Sequence, residues 1–88
     1  MRKSPRQTHP TSYSISTPRQ LGQVLRGFRT SQGATQAQVA LLGGLLQKTV
    51  SLVETSPSRA SFDSINRVIS ALGLELVVRK KSPPKSDW

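Results

Sequence analysis

Residues 36–55 read QAQVALLGGLLQKTVSLVET, and the fold turns on this stretch. Thr35, just ahead of it, suits a helix N-cap, and Val39, Ala40 and Leu42 then carry a short helix that ends at the Gly43 and Gly44 pair. Another helix follows from about Leu46 to Glu54. Ala40 is small where two helices must approach closely, and Gly44 can take the positive φ of a sharp turn. Leu45 plugs the space beneath that turn, while Val50 and Val53 rotate the later helix inward. Five such constraints at these spacings predict a helix-turn-helix rather than an unrelated helical hairpin.

Outward from this stretch the pattern stays helical. Thr17 is an N-cap followed by Pro18, whose missing amide costs nothing at a first helical position. Leu21, Val24, Leu25 and Phe28 then form one apolar stripe, and Gly33 ends that helix. Past Pro57, Ser61 caps a fourth helix with Phe62, Ile65, Ile69 and Leu72 as its inner stripe, closed by Gly73. The period then changes. Leu74, Leu76 and Val78 alternate with Glu75, Val77 and Arg79, which predicts one short strand with an apolar face. One strand needs a partner, and the same strand of a second copy, related by a two-fold axis, is the simplest. The fold expected is mainly α, four to five helices with one short C-terminal strand pairing across a dimer.

Composition bounds the function. The chain has 88 residues, no cysteine and a net charge of +9 from thirteen Lys and Arg against four Asp and Glu. A core of this size leaves little stability, and neither disulfides nor thiolate zinc sites can add to it. Residues 1–16 are rich in Ser, Thr, Pro and Arg and read as a disordered basic arm. Residues 17–79 form the helix-turn-helix domain, and residues 80–88 a flexible basic tail ending in Trp88. Both the domain and its flanks are basic, so a polyanion, nucleic acid first, is the expected partner. No apolar run is long enough for a membrane span and no secretory signal is evident, so a cytoplasmic location without membrane contact is expected.

Over Leu21 to Leu74 the chain resembles the lambda-repressor-like (Xre/Cro-type) helix-turn-helix proteins. Leu21, Leu25, Arg29, Thr35, Gln36, Ala40, Gly44, Val50, Ser51, Glu54, Ala71, Leu72 and Gly73 carry the resemblance. Within that group it looks most like the HipB-type antitoxins, by its length, its Thr17-Pro18-Arg19-Gln20-Leu21 entry, its Leu74-Glu75-Leu76 strand and its ending in Asp87-Trp88. The resemblance implies a homodimer that represses its own operon at double-stranded operator DNA and holds a HipA-like kinase toxin. It also implies that Glu54 pairs with Arg29. Two positions depart from the family pattern: Gly43 replaces an aliphatic residue at the end of the second helix, and Leu46 replaces a polar cap. The leucines at 41, 42, 45 and 46 exceed what a short hairpin buries, so one of them is expected to be exposed or to touch a partner.

In a helix-turn-helix the first turn of the third helix meets base edges. Gln47, Lys48 and Ser51 are therefore the expected base contacts, with Leu52 near them. A glutamine amide can bond adenine bidentately and a lysine can bond guanine acceptors, although Lys48 suits a phosphate equally well. Thr35, Gln36, Thr49 and Arg29 are the expected phosphate contacts, Gln36 through its amide and the helix N-terminus. Arg26 and Arg59 add charge nearby. Leu74, Leu76 and Val78 are the expected dimer strand, and Trp88 an aromatic anchor for a protein partner. The sole histidine, His9, lies in the arm, and Glu54 and Asp63 have no second carboxylate beside them, so no enzyme, metal or cofactor is expected. The competing expectation is a helix-turn-helix module for protein contact or RNA association, without a toxin partner.

Overall fold

The computed structural model describes residues 12–81. Four α-helices follow one another, α1 (Pro18–Ser31), α2 (Gln36–Gly43), α3 (Gln47–Thr55) and α4 (Phe62–Ala71), with one 3-10 turn at Pro57–Arg59 between the last two. Each start except that of α3 is set by its own cap. The Thr17 hydroxyl accepts from the Gln20 amide, with Pro18 at the first helical position, and the Ser61 hydroxyl accepts from Ser64. At α2 a full capping box forms, because the Thr35 hydroxyl accepts from the Gln38 amide at 3.0 Å while the Gln38 side chain accepts from the Thr35 amide at 2.8 Å.

The turn between α2 and α3 depends on Gly44, whose φ of +67° lies in the left-handed region where a Cβ is strained. Its reversal lets the Leu45 amide reach back to the Ala40 carbonyl at 2.8 Å, and Leu45 then packs against the core. That core joins all four helices through Leu25, Val39, Ala40, Val50, Val53, Val68, Ile69 and Leu72. Gly22 is the closest approach: a Cβ there would overlap the Glu54 carbonyl, so α1 and α3 touch through backbone. The Gln32 side chain, by donating to the Leu72 carbonyl at 2.9 Å, ties the end of α1 to the end of α4.

Four details differ from the sequence reading. Phe62 is 66% exposed, and Val68 takes the place expected of it in the inner stripe of α4. Phe62 opens the helix, where the first turn overhangs the core, and a 3,4 spacing cannot register that overhang. Leu42 faces outward, as do Leu41 and Leu46, so three of the four leucines are exposed rather than one. Helix α3 begins one residue later than expected and runs to Thr55, with Leu46 as an N-cap that supplies no side-chain bond. Tyr13, assigned by composition to the arm, stacks edge-to-face on Phe28 with ring centroids 5.5 Å apart.

No strand forms among the described residues. Leu74 turns inward, its amide bonded to the Ile69 carbonyl at 2.9 Å, and from Leu76 onward the apolar side chains are exposed, Val78 at 93%. A strand without a neighbour has no ladder to form, so within one chain this segment runs free. Trp88 and His9 lie outside the described residues.

Candidate nucleic-acid interface

Helix α3 sorts its side chains by angle. Val50, Val53 and Glu54 point into the protein, and Lys48, Ser51, Leu52 and Thr55 occupy the opposite arc. Gln47 and Lys48 are exposed in the first turn, and Ser51 is half-buried one turn later. These are the three expected base-reading residues, and the fold brings them to one end and one face of a single short helix. Thr35, at the start of α2, is exposed, and Thr49 is half-buried.

What holds this helix at its angle is an acidic side chain. Glu54 is the buried charged residue of the described chain, and Arg29 of α1 meets it with Nε at 2.5 Å from Oε2 and Nη2 at 3.1 Å from Oε1. The pairing is bidentate and nearly dry, with side chains 12% and 2% exposed. The third guanidinium nitrogen donates to the Ala34 carbonyl at 2.9 Å, just before the α2 cap. Gln36 adds the fourth contact, its Nε2 donating to Glu54 Oε1 at 3.1 Å. One carboxylate therefore ties α1, the entry to α2 and α3 together.

This network revises two of the expected phosphate contacts. The Arg29 side chain spends its three donor nitrogens inside the protein, so it does not offer a free charge to a backbone phosphate; the pairing with Glu54 that the family resemblance implied is the one present. Gln36 also points its amide inward, which leaves the N-terminal backbone of α2 as the group able to face an anion at that end. Losing this one hydrogen bond to a charged partner should matter: Gln36→Ala is expected to lower stability by about 1.5 to 3 kcal/mol in urea unfolding, with α3 loosened as a result. A midpoint unchanged from the parent chain would remove Gln36 from the lock.

The remaining charge favours a polyanion. Of the acidic residues among the described ones, Glu54 is consumed by Arg29 and Asp63 by Arg67 on α4, with Nε to Oδ2 at 2.9 Å. Arg67 also donates to the Gly43 carbonyl at 3.3 Å, steadying the end of α2, a contact that links positions too far apart in the chain for periodicity to show it. Arg19, Arg26, Lys48, Arg59, Arg79, Lys80 and Lys81 are all exposed. No helix among the described residues is long and apolar enough to cross a membrane, and no group of three or more His, Cys, Asp and Glu residues is gathered there.

No family model and no curated protein matches the chain. Solved structures do. The chain is similar to a HipB variant in complex with an O2 20-mer, at 25% identity and a TM-score of 0.76, covering 82% of this chain and 100% of that one. The HipB of a HipA–HipB–O2–O3 complex superposes equally well, at 24% identity and a TM-score of 0.76 over 81% of this chain and 100% of that one. The restriction-modification controller protein C.AhdI from Aeromonas hydrophila shares 36% identity, with a TM-score of 0.57, over 62% of this chain and 83% of its own.

Proposed function

We propose that this chain, which belongs to the lambda-repressor-like, Xre-type helix-turn-helix family of DNA-binding regulators, is a sequence-specific repressor that acts as a homodimer on the operator of its own operon and as the antitoxin of a HipA-like kinase. It works in the cytoplasm and without catalysis of its own. The observation that carries the reading is the face formed by exposed Gln47 and Lys48 and half-buried Ser51 on a helix locked by the Arg29, Glu54 and Gln36 network. A rigid helix presenting an amide, an ammonium and a hydroxyl suits base edges in a major groove, and the surplus of exposed cations suits the phosphates that flank them. Similarity over 81% of this chain to HipB solved in a complex with HipA, O2 and O3 supports the antitoxin part.

Repression is tested with a reporter driven by the DNA upstream of the chain's own gene. Expression of the chain should silence it, and the gene beside the chain's own should encode a kinase-like protein whose co-expression yields a complex that survives purification. The 36% identity to C.AhdI supports a second reading, a controller of a restriction-modification operon. The two part company at the neighbouring gene, which encodes a kinase-like protein in the first case and a methyltransferase or endonuclease in the second.

Dimerisation rests on the exposed Leu76, Val77 and Val78, which an equivalent segment of a second copy can cover while its backbone supplies the missing ladder. Light scattering at micromolar concentration is expected to give twice the chain mass. A monomer both with and without DNA would contradict it.

A further inference from the structure

We infer that Leu46 is a specificity residue that reads a thymine through its C5-methyl group, in a base pair next to the one met by Gln47. The inference rests on the DNA-binding reading above. The side chain of a helix N-cap residue normally does one of two things within its own chain: it accepts an amide hydrogen bond, or it packs on the core. The Leu46 carbonyl takes the first amides of the helix, Thr49 at 3.0 Å and Val50 at 3.3 Å, but its side chain does neither. Leu46 sits at the N-cap of α3 with extended backbone, φ −82° and ψ 149°, and its alkyl side chain supplies no cap bond. It is 63% exposed, because Leu45 already plugs the space under the turn and packs on the core.

The position of this side chain gives it a use. It directly precedes Gln47 and Lys48, at the end of α3 by which a helix of this kind enters the major groove. Most of the groups that base edges show there are hydrogen-bond donors or acceptors, which suit Gln47, Lys48 and Ser51. The exception is the thymine methyl, an apolar group on the groove floor, and an alkyl side chain is what recognises it. Contact removes both apolar surfaces from water, so a leucine that is a liability in the free protein becomes a discriminating contact in the complex.

The methyl can be deleted without touching anything else. Duplexes enriched by the full chain from a random pool define its consensus, and each thymidine is then replaced singly by deoxyuridine, which keeps base pairing and phosphates intact. The parent chain is expected to lose about fourfold in affinity at one position per half-site, the effect of one methyl-sized group. Leu46→Ala should bind the thymidine and deoxyuridine duplexes alike, and its exposed position predicts unfolding at the same urea concentration as the parent or higher. A consensus that is indifferent to every deoxyuridine, or a Leu46→Ala chain that still discriminates, overturns the inference and leaves the DNA-binding reading in place. A pool that yields no consensus overturns both.

Discussion

Glu54→Ala is expected to lower stability by about 3 to 5 kcal/mol, the usual consequence of removing one partner from a buried ion pair. The Arg29 guanidinium would remain nearly buried, its Nε and Nη2 without acceptors, and the Gln36 amide would lose its bond as well. For a domain of this length total stability is only about 4 to 10 kcal/mol, so the change removes a large share of it. Stability is not the sole readout. Because the same carboxylate joins α1, α2 and α3, operator binding should fall even at temperatures where the variant remains folded. Replacing both partners, Arg29→Met with Glu54→Leu, separates burial from charge: the double variant should recover much of the lost stability, since a buried pair is often matched by apolar side chains of similar volume. Urea unfolding of the three chains decides the matter. A Glu54→Ala midpoint equal to that of the parent would mean that the lock does not hold the helices.

The second large effect is on recognition. Gln47→Ala is expected to cost about 1 to 3 kcal/mol on the preferred operator, up to roughly a hundredfold in affinity, and little on a scrambled duplex. The side chain is exposed in the first turn of α3, so its removal leaves the core and the phosphate contacts as they were. Equal losses on the operator and the scrambled duplex would show that Gln47 holds the backbone rather than a base.

What could be read from the chain was what depends on near neighbours. Thr17, Thr35 and Ser61 each cap a helix through a residue three positions on, and Gly33, Gly44 and Gly73 each take a positive φ where a helix must stop. Such features are local, so spacing alone exposes them. Contacts set by the crossing of helices were beyond its reach. Gln36 was expected to face a phosphate because it opens α2, yet its amide reaches Glu54 eighteen residues away, and only the angle between α2 and α3 shows that the carboxylate lies within range. Arg29 was read in two ways, as a phosphate contact and as the partner of Glu54, and its burial decides for the second. Phe62 and Val68 exchanged places for a related reason: apolar periodicity shows that α4 has an inner face, but not how far the helix projects past the residues that cover it. The pairing of Leu76 and Val78 concerns a second copy, so it belongs to experiment on the assembled protein.

The central claim, that α3 reads DNA sequence, is tested most directly by fluorescence anisotropy at physiological salt. The full chain is titrated against a labelled duplex from upstream of its own gene and against a scrambled duplex of equal length and composition. The account predicts saturable binding to the first at least about a thousandfold tighter than to the second. Equal affinity for the two duplexes, with both curves collapsing together as salt is raised, would contradict it and leave only the attraction of a basic surface for phosphate.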